Sequence, residues 1–174
     1  AVRGGVTTGK TIEMVLPGGS SMPPLTREEC LTMKMDNESL KAIGSAIGTA
    51  GVMVMDEDTD LLKVLKRITK FYYHESCGQC TPCREGCGWM LRVLDRIDRG
   101  EGRQEDLDLL ISVAENIEGN TICALGDAAA WPVKWTIRKF RDEFAAKIPK
   151  HAVHIPILNK VHGVRKETDG FNIL

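Results

Sequence analysis

The sequence predicts an α+β fold, in which a mixed region over residues 1–57 precedes an antiparallel bundle of four helices over residues 58–147. Two observations support this prediction. Apolar residues recur at helical spacing in four separate stretches after residue 58, whereas short strand-like runs and turn residues alternate before it. A length of 174 residues is also sufficient for one ordinary domain or two small ones.

The first 57 residues contain short elements of both kinds. Residues 10–16 predict a strand that a Pro-Gly-Gly turn ends. Residues 38–47 predict a short helix, with Asp36 or Asn37 as its N-cap. The apolar run over residues 51–55 predicts a buried strand.

The region after residue 58 predicts four helices, over residues 59–74, 83–98, 104–118 and 130–146. Each contains an apolar stripe that we interpret as core packing, and glycine or proline lies between the stripes or at their edges. The stripes are Leu61, Leu65, Ile68 and Tyr72; Met90, Leu94 and Ile97; Leu107, Leu110, Ala114 and Ile117; and Val133, Ile137, Phe140 and Phe144. Short links favour an antiparallel bundle. Residues 148–174 show no period and predict an extended or partly disordered tail.

Residues 4–11 fit the phosphate-loop pattern G-x-x-x-x-G-K-[ST]. That loop requires a strand before it and a helix after it, so that the helix N-terminus faces the phosphates. Only three residues precede Gly4, and a strand-like run follows Thr11. We therefore interpret the match as coincidence or a simple turn.

Composition limits the possible partners. The 23 Lys and Arg residues balance the 24 Asp and Glu residues, which argues against nucleic acid or an anionic membrane as a partner. The apolar runs are far shorter than the roughly 20 residues of a spanning helix, so no direct membrane insertion is expected. The first residues have no apolar signal core, which favours a reducing, cytoplasmic or matrix-like compartment.

Three of the six cysteines lie within seven residues, in the pattern Cys77-x-x-Cys80-x-x-Cys83. Gaps of two residues let successive thiolates surround one compact centre and occupy three corners of a [4Fe–4S] cubane. Structural zinc more often uses separated pairs of ligands. The spacing therefore favours an iron–sulfur cluster over zinc.

A cubane requires a fourth ligand, for which Cys30, Cys87 and Cys123 are candidates. Cys87 completes the bacterial ferredoxin spacing, but there the last cysteine serves a second cluster, and six cysteines cannot hold two. Cys87 also lies one helical turn after Cys83, beneath the loop. In an up-down bundle the links between helices one and two and between helices three and four share one end, which favours Cys123.

The same topology places the N-termini of helices two and four beside the cysteines. Their positive ends stabilise a negatively charged cluster. Arg84 could add a further positive charge near the cluster, although a solvated helix residue is an equally good interpretation.

Several segments resemble the NADH-binding flavoprotein subunit of respiratory complex I, an NADH:quinone oxidoreductase. They are residues 17–21, 47–50, 74–86 together with Trp89, 121–127 and 130–133. The resemblance extends from about residue 2 to about residue 144. It implies that Cys77, Cys80, Cys83 and Cys123 are the cluster ligands. It also implies that residues 1–57 are the later portion of a partial β-grasp-like (SLBB-type) domain.

In that family the glycine-rich domain that binds FMN and NADH lies N-terminal to all these segments, and no such segment occurs in this sequence. The resemblance therefore implies the C-terminal part of a longer subunit, or one half of a split subunit. FMN and NADH would belong only to the full subunit.

The implied role is electron relay in the NADH-oxidising module. Flavin takes a hydride from NADH, and the cluster passes the electrons singly toward quinone. The implied partners are a 2Fe–2S thioredoxin-like subunit and a large iron–sulfur subunit. The implied location is peripheral, on the cytoplasmic face of the bacterial inner membrane or the matrix side in mitochondria. Two alternatives stay open: the equivalent module of an NAD-linked hydrogenase or formate dehydrogenase, and a zinc-stapled interaction module.

Overall fold

The computed structural model describes residues 9–149. Residues 1–8, with the first part of the phosphate-loop match, and nearly all of the predicted tail lie outside the described residues. Residues 9–11, the part of the match that the structure describes, lead directly into a strand that begins at Ile12 and not into a helix. The interpretation of this pattern as a coincidence is therefore confirmed for its C-terminal side.

A small antiparallel sheet contains three strands, β1 (Ile12–Leu16), β2 (Leu25–Thr26) and β3 (Met53–Asp56), in the order β2-β1-β3. The register pairs Met14 with Thr26 and, on the other side, with Met55. β1 alternates between two cores, as a strand with two covered faces does. Met14 and Leu16 join the core of the long helices, whereas Val15 packs with Leu25 and Leu40 in a second cluster.

Two predictions for this region are corrected. The strand β3 is not buried, because it lies at the edge of the sheet and exposes Met53 and Val54; only Met55 contributes to the core. The predicted helix over residues 38–47 is the shorter α2 (Asn37–Ala42). It begins at the expected cap Asp36, and its end coincides with Gly44 at φ +77°, a conformation that only glycine adopts readily.

The sequence pattern also missed the short strand β2 and the helix α1 (Arg27–Thr32) that follows it directly. A capping box starts α1: the Glu29 N–H donates to Thr26 Oγ1, and the Thr26 N–H donates to the Glu29 carboxylate. Lys139 then joins this segment to the long helices, since its ammonium group contacts both the Pro24 carbonyl and the Glu29 carboxylate.

Four long helices make up most of the remaining chain: α3 (Leu61–Glu75), α4 (Thr81–Asp98), α5 (Glu105–Ile117) and α6 (Leu125–Lys139). Each packs against the next along the chain, and α6 packs against α3 and α4 as well. The predicted stripes form this core, with Ile68 the one member that is only partly buried. The predicted α+β class is therefore confirmed.

Three of the predicted helices are confirmed to within two residues at either end. The fourth prediction was wrong in its limits. Helix α6 begins five residues earlier than predicted, at Leu125, and a separate helix α7 (Arg141–Ala146) follows a break at Phe140. The break reflects the non-helical backbone of Phe140, at φ −120° and ψ 30°. Within residues 9–149, no helix is long and apolar enough to cross a membrane.

Candidate iron-sulfur site

The first cysteine link connects α3 to α4 through residues 76–80. Ser76 ends α3, since its N–H donates to the Tyr72 carbonyl, and Cys80 is the N-cap of α4. Gly78 turns the chain between them at φ +79°. Pro82 lies in the first turn of α4, where a missing N–H costs no hydrogen bond. The link is therefore a tight turn that leads directly into a helix.

Arg84 holds the link from within α4. Its Nη1 donates to the Gly78 carbonyl at 2.8 Å, and its Nη2 donates to Thr81 Oγ1 at 3.3 Å. These contacts favour the interpretation of Arg84 as a charge near the cysteines over that of a solvated helix residue, because its guanidinium group binds the loop backbone. A positive charge is placed beside the cysteines as a consequence.

The three cysteines of the first motif differ in their exposure. Cys77 is exposed, Cys80 is half-buried, and Cys83 is buried in the first turn of α4. Ser76 Oγ lies 3.2 Å from the Cys83 sulfur. The motif therefore extends from solvent into the helical core.

The second link, over residues 118–124, brings Cys123 close to the first motif. The backbone N–H of Ile122 donates to the sulfur of Cys80 over 3.4 Å. Cys123 is the next residue, and adjacent Cα atoms are about 3.8 Å apart, so the Cα of Cys123 lies within about 9 Å of that sulfur. Cys123 itself is exposed.

Polar contacts attach the second link to α6. The carboxylate of Glu118 accepts a hydrogen bond from Trp131 Nε1 at 2.7 Å and pairs with Lys134. The hydrogen bond from Lys134 lowers the pKa of Glu118 below its usual value. The Gly119 N–H donates to the Asp127 carboxylate at 2.7 Å. These contacts fix the position from which Cys123 projects.

A close approach of backbone to side chain reinforces this attachment. A Cβ atom at Gly126 would lie 2.3 Å from Thr121 Oγ1, so only glycine fits there. The hydroxyl of Thr121 in turn donates to the Cys123 carbonyl at 3.0 Å. The predicted fourth helix, over residues 130–146, leaves Gly126 outside, but this glycine lies inside α6 and permits close packing.

Cys87 lies beneath the first motif, as its place one turn after Cys83 predicted. It is fully buried, and its sulfur lies 3.9 Å from that of Cys83. Burial raises the pKa of the Cys87 thiol to about 12, with the nearby Cys83 as the second cause. The remaining candidate, Cys30, belongs to the separate cluster around Val15, Leu25 and Leu40.

The donors at the ends of the two links suit an iron–sulfur cluster. Within the described residues, no three His, Cys, Asp or Glu side chains converge tightly enough to hold one metal ion. The thiolates of a four-iron cluster each bind a different iron atom, so they lie farther apart than the ligands of a single ion. The N-termini of α4 and α6, which directly follow the links, supply positive potential and unpaired N–H groups.

Sequence reasoning missed the residues that support the cysteines. The hydroxyl of Ser76, the Ile122 amide and the Glu118 carboxylate have no spacing signature that would identify them.

Cysteines and an amide donor grouped at helix N-termini are typical of an iron–sulfur site. Residues 63–147 match the sequence family described as the NADH-ubiquinone oxidoreductase-F iron-sulfur binding region. The chain is 52% identical over 146 residues to the F subunit of NADH-quinone oxidoreductase in Rickettsia bellii (strain OSU 85-389), covering 83% of this chain. It is 50% identical over 153 residues to the same subunit of Rickettsia akari (strain Hartford), covering 87%.

The chain therefore belongs to the family of NADH-quinone oxidoreductase F subunits. It covers 35% and 36% of the length of these two relatives, about a third of each. Among solved structures, a crystal structure of NAD⁺-reducing [NiFe]-hydrogenase in the air-oxidized state is similar, with a TM-score of 0.71 and 29% identity. That similarity covers 81% of this chain and 24% of the hydrogenase chain.

Proposed function

We propose that this chain is the electron-relaying part of the NADH-oxidising module of an NADH:quinone oxidoreductase. The observation that carries the proposal is the hydrogen bond from the Ile122 amide to the Cys80 sulfur. This contact brings together two cysteine links that are distant in sequence, which a four-thiolate site requires.

Cys77, Cys80, Cys83 and Cys123 would hold one [4Fe–4S] cluster. Three ligands come from the α3–α4 link and its helix, and the fourth comes from the α5–α6 link. The four long helices would form an up-down bundle with both links at the same end, an arrangement that the pairwise packing of the helices supports. The three strands would be part of a β-grasp-like domain.

When bound, such a cluster supplies the uptake and release of single electrons. The residues of this chain set the conditions for that chemistry. The Ile122 amide and the Ser76 hydroxyl are placed to donate hydrogen bonds to ligand sulfurs, which favours added negative charge. Arg84 and the N-terminus of α4 add positive potential on the same side.

FMN and NADH would be held by a region outside this chain, on the same subunit or on another one. The expected partners are a 2Fe–2S thioredoxin-like subunit and a large iron–sulfur subunit of the same module. The expected location is peripheral, at the cytoplasmic face of a bacterial inner membrane or at the matrix side in mitochondria.

Cluster content after anaerobic reconstitution of the full chain tests the ligand assignment. We expect Cys123→Ser to lower iron and sulfide strongly or to change the cluster type, since it removes a ligand. Cys87→Ser should leave both near the level of the unmodified chain. The reverse result would refute the assignment. A colourless protein that binds zinc and lacks absorption near about 400 nm would instead support the zinc-stapled module.

A second experiment separates electron relay from NADH chemistry. The reconstituted chain should give an electron paramagnetic resonance signal with dithionite, which needs only the cluster. It should give none with NADH alone, because hydride transfer needs a flavin placed against the nicotinamide. A signal with NADH in the absence of flavin and partner subunits would contradict the proposal.

The equivalent module of an NAD-linked hydrogenase is a second candidate. The similarity to the NAD⁺-reducing [NiFe]-hydrogenase structure favours it, but at 29% identity against 52% for the Rickettsia bellii relative. The subunits that co-purify with the chain distinguish the two. A nickel-containing partner would support the hydrogenase module, and the large iron–sulfur subunit without nickel would support the quinone reductase.

A further inference from the structure

Cys87 has no role in the proposed ligand set, yet it lies in contact with it. Its sulfur is 3.9 Å from the sulfur of Cys83, and its side chain is completely buried. The two residues are four apart on α4, so they occupy the same face of the helix one turn apart. By contrast, the sulfur of Cys80 accepts a hydrogen bond from the Ile122 amide.

The Cys87 side chain points toward the cysteine motif. Side chains on a helix tilt toward its N-terminus, and for α4 that end carries the cysteine motif. The thiol of Cys87 is therefore aimed at the space that the Cys83 sulfur occupies.

We propose that Cys87 is a second thiol ligand for the corner of the cluster that Cys83 serves, able to bind iron when Cys83 cannot. This inference rests on the proposed function. In the exchange, the Cys87 thiol gives its proton to solvent, and its sulfur forms the iron–sulfur bond that the missing Cys83 sulfur no longer makes. No oxidation or reduction takes place.

The Cys87 sulfur has to move only a short distance to take the place of the Cys83 sulfur. Removal of the Cys83 sulfur leaves a space next to Cys87, and the new ligand atom starts 3.9 Å from the old one. Ser76 Oγ, 3.2 Å from the Cys83 sulfur, is the competing ligand, but iron–sulfur clusters prefer thiolate to a hydroxyl oxygen.

Cluster content in three variants of the full chain tests the proposal. After anaerobic reconstitution, we expect Cys83→Ala to keep about half or more of the iron and sulfide of the unmodified chain. The double variant Cys83→Ala/Cys87→Ala should lose most of both. Cys80→Ala, whose sulfur has an amide as its neighbour, is the matched control and should lose most of its cluster as well.

Alkylation gives a second measurement. In reconstituted Cys83→Ala, Cys87 should resist a small maleimide. In the cluster-free variant, where the missing Cys83 side chain leaves a space beside Cys87, the thiol should react, and peptide mapping by mass spectrometry should detect the modification. Modification in the reconstituted variant would overturn the proposal, because an iron-bound thiolate is not free to react.

Three further outcomes would refute the inference. Equal cluster content in Cys83→Ala and in the double variant would show that Cys87 binds no iron. Loss of the cluster from Cys83→Ala with its helical circular dichroism intact would do the same. Loss of helical signal from both Cys83→Ala and Cys83→Ser, but not from Cys80→Ala, would also count against a substitute ligand. An unmodified chain that binds no cluster would overturn the proposed function itself.

Discussion

Replacing Glu118 by alanine removes the acceptor that attaches the Cys123 link to α6. Glu118 ends α5, and its carboxylate contacts both Trp131 Nε1 and the ammonium group of Lys134. Only 9% of the Lys134 side chain is exposed, against 32% for Glu118. The variant therefore leaves a nearly buried ammonium group without its carboxylate partner, although the Trp135 ring remains 5.4 Å from it.

The structure allows an estimate of the cost. A hydrogen bond to a charged group contributes about 1.5–3 kcal/mol, and Glu118 accepts two of them. Because 32% of the Glu118 side chain is exposed, water weakens both interactions. We expect the variant to lose about 2–3 kcal/mol of unfolding free energy. For a chain of this size, that corresponds to a decrease of about 4–12 °C in the unfolding midpoint.

Glu115 provides a matched control on the same helix. It pairs with Arg138, and both side chains are exposed, at 47% and 41%. Such a surface pair contributes about 0–1 kcal/mol, so Glu115→Ala should lower the midpoint by no more than about 4 °C.

The assay is thermal unfolding of the reconstituted chain, followed by circular dichroism at one fixed scan rate, with iron content measured in parallel. Glu118→Ala should lower the midpoint and also the iron content, since Cys123 loses its support. A midpoint for Glu118→Ala equal to that of Glu115→Ala would refute the reasoning. A lower midpoint with unchanged iron content would refute only the claim that Glu118 supports the link that carries Cys123.

Three further predictions follow from the packing of α4 and α6. Gly86→Ala should destabilise the chain by about 1–3 kcal/mol in urea unfolding, because its Cβ would lie 2.6 Å from Ile117 Cδ1; Gly88→Ala, whose Cβ would come no closer than 3.0 Å to Tyr73 Cε2, should cost less. Gly126→Ala should lower iron content, because its Cβ displaces the link that carries Cys123, the proposed fourth ligand; normal content would contradict this. Ser76→Ala should lower the midpoint potential of the cluster by about 20–65 mV, which corresponds to the loss of one hydrogen bond to sulfur. Ser76→Thr keeps the hydroxyl and should restore the potential. A redox titration followed by electron paramagnetic resonance measures both.

The sequence predicted the long helices well because their signal is local. A stripe at helical spacing, such as that of Leu107, Leu110 and Ala114, follows directly from the burial of one helix face. The edge strand β3 was mistaken for a buried one because a run of apolar residues does not reveal what covers it. That information depends on sheet order, which is set by distant residues.

The limits of α6 were missed for a similar reason. Gly126 carries a strong signal for a helix break, but its contact with Thr121 makes glycine necessary inside the helix. Tertiary packing overrides propensity at this position. The spacing identified the motif of Cys77, Cys80 and Cys83, and the predicted topology favoured Cys123 as the fourth ligand. The Ile122 amide could not be predicted, since a backbone donor has no residue type to identify it.

The arrangement of the supports explains how a remote ligand can join the first motif. Bringing Cys123 to that motif from a separate link would cost loop entropy at the moment of cluster assembly. In this fold the link loses that entropy during folding instead, because Glu118 and Asp127 attach the second link to α6 through contacts that involve no cysteine. The stripes of the long helices form a core of many apolar side chains, whereas small zinc domains depend on the metal for folding. We therefore expect the fold to bring the proposed ligands near one another before the cluster is assembled, so that less of the binding energy of the cluster is spent on ordering the second link.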